Sequence, residues 1–480
     1  MRPALNHSSA LRVRPKPWPP ALAAIAALAL GGCASFSSDG GFAPVEQAAK
    51  ARLGKDLVMA RSAADQDTIE RRVAALLAQP LAVDAAVQIA LLNNRGLQAS
   101  FQELGIAEAD VVQAGRLPNP GFSFARLQRG DEVERERGIH FNLARLLALP
   151  FIRPMEARRF AQTQGMVAMN VLAIAADTRK AYFQALAAEE TSRYMLQVMQ
   201  AAEASADLAR RMAAVGNFNK LQQAREQGFY ADAALNLARA RQAQRTTRER
   251  LTRLLGLWGM QTQFVLPARL PDLPKEPADR PDIERVALAQ RLDVQGAKLA
   301  AEQTAKNLGL TRTTRFVNVL ELGVVRNASN QAPTQRGWEV GLELPLFDWG
   351  DARVARAEAV YMQAVHRAAE TAINARSQVR EAYGNYRSAW DIARHHRDEI
   401  VPLRQRIAEE NLLRYNGMLI GVFELLADAR AQIVSVNNAI EALRDFWIAQ
   451  ADLEMALFGQ PDLAAGARPA TLAEPGAAAH

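Results

Sequence analysis

The sequence predicts a mainly α-helical chain, duplicated within itself, whose halves each carry one β-hairpin patterned for a membrane. Three observations lead to that fold class. Residues 338–344 alternate strictly, with Trp338, Val340, Leu342 and Leu344 on one face and Glu339, Gly341 and Glu343 on the other. Such period-two alternation marks a strand lying between two different solvents. Long polar, Ala-rich stretches accompany it, and Met155–Val215 contains no proline. At 1.5 Å per residue that helix reaches roughly 90 Å, too long for a compact core without a partner along its length. Finally, the same order of elements recurs about 200 residues further on, the signature of an internal repeat.

The bulk composition of the 480 residues is ordinary, at 49% hydrophobic and 23% charged, but the aromatic content of 6% is low for a packed enzyme. The net charge of +7 comes partly from Arg2, Arg12, Arg14 and Lys16. Elsewhere Arg and Glu are mixed along helices, as on solvated faces, so no nucleic-acid partner is expected. The single cysteine, Cys33, forbids an intrachain disulfide. It follows a basic stretch and the apolar run Ala21–Leu30, which is too short to span a bilayer. Leu30-Gly31-Gly32-Cys33 resembles a bacterial lipobox. That resemblance implies a signal peptide over residues 1–32 and a covalent N-acyl diglyceride, with palmitate-type acylation, on Cys33. Acyl chains worth about 0.8 kcal/mol per buried methylene would anchor the chain in lipid. Ala34 stands where, in the sorting rule this resembles, an Asp favours inner-membrane retention, and its absence is compatible with the outer membrane.

The elements follow in order. Residues 33–80 read as a lipidated tether and a helix-prone segment. Leu81–Arg116 reads as one helix, with Ala86, Ile89, Ala90, Leu97, Phe101, Leu104 and Ile106 near a 3.6 spacing, stopped by Leu117-Pro118-Asn119-Pro120-Gly121. A hairpin over 121–147 follows, its strands Phe122–Leu127 and Gly138–Leu147 joined by a charged loop, Gln128–Arg137, and ended by Pro150 and Pro154. Met155–Val215, a turn at Gly216–Asn219, and Lys220–Leu255 complete a helical pair. Pro267–Pro281 is a Pro-rich linker and the best domain boundary, separating a first repeat (81–266) from a second (282–460). The second repeat comprises a helix Asp282–Leu310, a hairpin over 315–345, and a helix from an Asp351 N-cap to about Leu413. A turn at Tyr415–Gly421 and a helix Val422–Leu457 end it. In the third strand Phe316, Asn318, Leu320, Leu322 and Val324 share a face. Residues 461–480 read as a disordered tail.

The repeats match in detail. Leu97-Gln98 corresponds to Val294-Gln295, Leu149-Pro150 to Leu344-Pro345, Arg179–Tyr182 to Arg380–Tyr383, and Leu255-Gly256 to Phe458-Gly459. Two hairpins supply four strands, which cannot close a barrel, and an open sheet edge in lipid is untenable. Three chains sharing one barrel give twelve strands, within the range of outer-membrane barrels.

The duplicated plan is similar to that of the TolC family of outer membrane efflux proteins. So are Arg116–Pro120 before the first hairpin and Leu344–Gly350 after the second. The lipobox resembles the lipoprotein branch of that family. The resemblance implies a homotrimer, a twelve-stranded β-barrel and a long periplasmic α-helical barrel. It also implies docking to a periplasmic membrane fusion (adaptor) protein and an inner-membrane RND-type transporter, for a passive duct exporting drugs, organic compounds or heavy-metal ions. The adaptor would dock on two helix–turn–helix tips, 211–221 and 414–425. By position the docking residues are Arg211, Gly216 and Leu221, then Arg414, Gly417 and Leu425, although glycines there also simply permit a turn. The family often gates the tip with aspartates, yet 417–423 holds no acid, the nearest being Glu424 and Asp428. An apolar gate of Met418, Leu419 and Ile420 is expected instead.

No nucleophile elbow, phosphate loop or zinc motif occurs, so no enzyme activity, cofactor or metal centre is expected. His395 and His396 with Asp391 and Glu399 read as surface residues of a helix. Two other readings use the same features: a type I protein secretion duct, and a lipidated periplasmic coiled-coil scaffold that leaves the hairpins unexplained.

Overall fold

The computed structural model describes residues 35–314, 320–342 and 347–463, save the side chains of Val422 and Phe423. The lipobox with Cys33, Phe316 and Asn318 of the expected third strand, Leu344-Pro345 and the tail beyond residue 463 lie outside the described residues. The chain divides into a sheet unit and a helical unit that cut across the two sequence repeats, each repeat giving part of itself to both.

In the sheet unit, β1 (Gly121–Arg129), β2 (Glu132–Asn142), β3 (Leu320–Ser329) and β4 (Gln335–Leu342) form one antiparallel sheet in chain order. The hairpins of the two repeats join through β2 and β3, with Phe141 opposite Leu322 and Arg137 opposite Arg326. The expected charged loop 128–137 is not a loop: β1 and β2 pair out to Arg129 and Glu132, and only Gly130 and Asp131 turn. Glu134-Arg135-Glu136-Arg137 is an alternating strand whose period-two signal is carried by charge. The hairpins are also clamped at their ends. Asn330 accepts from the Val133 amide at 2.8 Å and donates to the Asp131 carbonyl at 2.8 Å.

The strand expected over Gly138–Leu147 ends earlier, at Asn142, whose side chain accepts from the Arg145 amide at 2.8 Å and starts a helix. Pro150 and Pro154 therefore lie inside that helix, Leu143–Ala214, rather than ending a strand. Each proline removes one backbone donor but leaves the early turns otherwise helical.

The helical unit begins with α1 (Ala43–Leu53), α2 (Ala63–Leu77), α3 (Val83–Asn93) and α4 (Arg95–Ala114). Two helix pairs follow: α5 (Leu143–Ala214) with α6 (Lys220–Leu255), and, after α7 (Ile283–Gln290) and α8 (Leu292–Thr314), α9 (Asp351–His395), α10 (Val401–Asn416) and α11 (Val422–Phe458). The single helices expected over 81–116 and 282–310 are each broken in two. Asn94 and Arg291 make the breaks, both in extended backbone with ψ near 116° and 126°. Asn94 accepts from the Leu97 amide at 3.0 Å, a cap that competes with helix continuation. The expected unbroken helix from Asp351 is interrupted by a π-helical turn, His396–Ile400, just before Pro402. A widened turn there accommodates a residue that cannot donate and that crowds the preceding carbonyl. The helix N-cap is Gly350, not Asp351.

Two of the cores that hold the unit meet on its last helix. One joins Ile69, Leu81, Ile89, Tyr182, Leu186, Leu251 and Leu255 with Ile440 and Ile448 of α11; the other joins Val379, Tyr386, Trp390, Phe446, Leu453 and Leu457. α11 serves both. The few aromatics concentrate at this seam: Phe183 stacks on Trp447 at 5.3 Å, Trp447 meets Phe446 at 5.1 Å, and Phe446 meets Tyr386 at 5.5 Å. The Pro-rich linker is an ordered strap. Its Pro271 and Pro274 carbonyls accept from the indoles of Trp447 (3.1 Å) and Trp390 (3.0 Å), and the Tyr386 hydroxyl accepts from the Ala278 amide at 2.9 Å. Prolines fit a strap because their carbonyls remain free to accept. Among the described residues no helix is long and apolar enough to cross a membrane.

Candidate functional site

The two turns joining the long helices carry the residues singled out by sequence. At the first, α5 ends with the Gly216 amide on the Ala213 carbonyl (3.1 Å) and the Asn217 amide on the Met212 carbonyl (2.9 Å). This is a Schellman closure, with Gly216 left-handed at φ 80°. Asn219 then caps α6 in a capping box with Gln222, both bonds at 2.8 Å. At the second turn the bonds repeat: Met418 amide to Tyr415 carbonyl at 2.9 Å, Leu419 amide to Arg414 carbonyl at 2.8 Å. The left-handed residue is Met418, at φ 61°. Gly417 has φ −79°, so it does not make the turn as expected. The structural equivalent of Gly216 is Met418, and Gly421 takes the capping place of Asn219 without a side chain to cap. Sequence matching missed this shift because both segments contain a glycine in nearly the same place.

The tip side chains are set out toward solvent in the single chain. Met418 is 94% exposed, and Leu419, Val215, Leu413 and Leu221 are also exposed, whereas Ile420 and Leu425 are half-buried. Arg211 is held by Asp207 one turn back at 2.8 Å, and Arg414 by Glu410 at 3.2 Å. Hydrogen bonding from Arg210, together with the charge of Arg211, holds the Asp207 carboxyl below the usual carboxylate range. Of the nearest acids to the second tip, Glu424 is exposed and Asp428 accepts from Asn411.

Behind the tips the two helix pairs are tied together. Glu226 of α6, almost wholly buried, accepts from Ser205 of α5 at 2.9 Å and from Arg430 of α11 at 3.0 Å. Arg430 also lies 4.3 Å over the Phe229 ring. No pattern in the sequence announces this pair, because its members are far apart in the chain and sit in ordinary polar helix.

In the sheet, His140 of β2 bridges Ser123 of β1 (2.8 Å) and Glu339 of β4 (3.0 Å). Gly138 and Gly323 make room for it. A Cβ on Gly323 would lie 2.8 Å from Glu339 Cγ and 2.9 Å from His140 Nδ1.

No protein-family model matches the chain. The cobalt-zinc-cadmium resistance protein CzcC of Cupriavidus metallidurans is 25% identical over 288 residues, 56% of this chain and 64% of that protein. The match thus spans less than two thirds of that relative. Among solved structures, CusC superposes with a TM-score of 0.65 at 18% identity, covering 78% of this chain and 92% of that one. VceC of Vibrio cholerae gives 0.65 at 14%, covering 79% and 96%. The CmeC outer membrane channel of Campylobacter jejuni gives 0.65 at 16%, covering 78% and 85%. The fold is that of the TolC-family outer membrane channels.

The residues singled out by sequence lie at the turns between the long helices, and the His140 cluster lies on the sheet. A groove of about 740 Å³ between α5, α6, α9 and α11 of the helical unit is lined by Ala187, Ala240, Ala389 and Ala449 among others, with Thr247, Ser388, Glu381 and Arg444 between them. His395 and His396 form no metal cluster among the described residues; His395 pairs with Glu399 at 3.3 Å. Burial first, and the neighbouring His395 second, push the His396 imidazole below its ordinary value.

Proposed function

We propose that this chain is the outer-membrane component of a tripartite efflux system, a passive duct that carries small molecules or metal ions across the periplasm and outer membrane. The observation that carries the reading is the sheet: four amphipathic antiparallel strands whose outer members, β1 and β4, are each paired on one side only. Such edges require closure in lipid, and three copies supply a twelve-stranded barrel. The anchor is an N-acyl diglyceride on Cys33. The homotrimer's helices extend into the periplasm, where Arg211, Gly216, Leu221, Arg414, Gly417 and Leu425 meet a membrane fusion (adaptor) protein coupled to an inner-membrane RND-type transporter. The exposed Met418 and Leu419, with Ile420, suit an apolar gate around the trimer axis. The likeness to CzcC favours divalent metal ions among the cargoes.

The test is single-channel conductance of the purified, acylated protein in a planar bilayer, with its mass measured in parallel. A trimer giving discrete conductance steps is the expected result. A monomer that forms no pores would overturn the duct and favour a lipidated scaffold. Alanine substitutions at Met418, Leu419 and Ile420 should raise the open probability; unchanged leakage and conductance would remove the apolar gate.

A further inference from the structure

The two faces of the sheet are segregated by charge as well as by polarity. The register places Glu132, Glu134 and Glu136 of β2, Glu321 of β3 and Glu339 of β4 on one face, together with His140 and Ser123. The opposite face carries no acid. It carries Phe122, Ile139, Val324 and Trp338 in one row, Phe141, Leu322 and Val340 in the next, and Leu320 with Leu342 in a third. Rows on one face of a strand are about 7 Å apart, so the outer rows of this apolar band are about 14 Å apart. At the hairpin-turn end of that band the same face carries Arg126, Arg135, Arg137, Arg326 and Arg336, at least one from every strand.

These five arginines are crowded. Arg126 is directly opposite Arg135, Arg137 is opposite Arg326, and Arg326 is opposite Arg336. Like charges at paired positions of a sheet are destabilising. All five are exposed, and none has an acidic partner among the described residues. The glutamates adjacent to them in sequence point to the other face, so no carboxylate among the described residues neutralises the belt. A face with an apolar band bordered by a row of unneutralised guanidinium groups is complementary to one thing in particular: the boundary between the hydrocarbon of a bilayer and its phosphates. Guanidinium is the side chain best matched to phosphate, through bidentate hydrogen bonds.

We propose that the belt Arg126–Arg135–Arg137–Arg326–Arg336 binds the phosphates of anionic lipid headgroups, fixing the depth of the barrel in the membrane. The proposal rests on the reading of the sheet as a membrane barrel. In a barrel closed by three copies the belt becomes a continuous basic ring, and the headgroups remove the repulsion between paired arginines. Arginine rather than lysine suits the place, because a planar fork holds a phosphate while its stem stays against the apolar row below.

The test uses the full-length acylated protein, reconstituted in phosphatidylcholine vesicles containing a minor fraction of phosphatidylglycerol. Insertion is read first, by trimer mass and heat-modifiable migration. Lipid kept after detergent extraction is then read by native mass spectrometry. Wild-type protein is expected to keep phosphatidylglycerol over phosphatidylcholine by about tenfold, a preference that falls as salt rises. The triple variant R135Q/R137Q/R326Q should insert but keep the two lipids in near-bulk proportion. R129Q, on the opposite face, should behave as wild type. Inserted wild-type protein with no lipid preference would overturn the belt alone, as would a triple variant that keeps the preference. Preference lost equally in R129Q would mean diffuse charge rather than a belt. Displacement of the retained lipid by millimolar inorganic phosphate would make this a free-anion site and overturn the lipid assignment. If wild-type protein does not insert, the barrel reading itself fails and the belt falls with it.

Discussion

Gly216 and Met418 occupy the same position in the two helix turns, both left-handed, at φ 80° and 61°. Only the glycine is free of a side-chain penalty there. A non-glycine residue in that region costs on the order of 1–2 kcal/mol. Met418→Gly should therefore stabilise the chain by about 1 kcal/mol, and Gly216→Ala should destabilise it by a similar amount, since open space around Gly216 leaves only the backbone term. Thermal unfolding of the two variants in detergent checks both signs. A left-handed methionine retained at 94% exposure is a cost without a folding return. Met418→Gly should accordingly weaken adaptor binding or gating while it raises stability, and a variant that gains stability with full export would show that the methionine has no such task.

Arg291 is almost fully buried and makes the break between α7 and α8. It grips Asp293 through two bonds, at 3.0 and 2.6 Å, and reaches Gln378 at 2.9 Å. Its equivalent in the first repeat is Asn94, which binds the Leu254 carbonyl at 2.9 Å. Removing one partner of a buried ion pair leaves the other charge uncompensated, at a cost of about 3–5 kcal/mol. Arg291→Met should fall in that range. Asn94→Ala should cost less, about 1–2 kcal/mol, because it loses a cap and leaves a carbonyl unpaired but strands no charge. Denaturant unfolding of the two variants under one set of conditions gives the comparison.

The repeat, the hairpins, Lys220–Leu255 and the turn positions were legible because each rests on a local period or on a strong breaker. The failures share a cause. Asn94 and Arg291 break helices through side-chain bonds to carbonyls more than a hundred positions away, those of Leu254 and Ala456, and apolar periodicity runs straight across them. The charged strand of β2 reads as a loop by hydrophobicity, because its alternation is carried by charge. Pro150 was read as a stop, yet a proline near the start of a 72-residue helix is tolerated. At the tips the residue types were legible but their register was not. Which residue is left-handed depends on where the helix closes, and a neighbouring glycine disguised it.

Lys180 of α5 is buried between Asp452 of α11 at 3.1 Å and Asp177 at 3.4 Å. Burial raises the Asp452 carboxyl above its ordinary 3.8, and Lys180 opposes that rise. A carboxyl held more tightly protonated in the folded chain adds stability that is complete below the unfolded value and is lost as pH rises through the folded one. Lys180→Met removes the opposing charge, so the folded value rises further and the buried carboxylate is left alone. The variant should be destabilised by about 3–5 kcal/mol at neutral pH, with the difference from wild type shrinking as pH falls toward 3.8. Melting temperatures of both proteins from neutral to acid pH decide it; a pH-independent difference would mean that packing, not charge, is what Lys180 supplies.

The acidic face of the sheet sets a last expectation. Glu321 and Glu339 lie on neighbouring strands of that face, two residues out of register, and Glu339 is tethered by His140 at 3.0 Å. In the proposed three-copy barrel, with the apolar face toward lipid, this face would line the lumen. A ring built from three copies of each acid concentrates cations, because a narrow, low-dielectric wall focuses the field of its charges. Glu321→Gln with Glu339→Gln should therefore shift the zero-current potential in a salt gradient toward that of an unselective pore, and the shift should be smaller at high ionic strength. Single-channel conductance at matched salt should change less than selectivity, because the substitution preserves side-chain volume. An unaltered zero-current potential would place the selectivity elsewhere, at the helical tips, where Met418 and Leu419 present no charge at all.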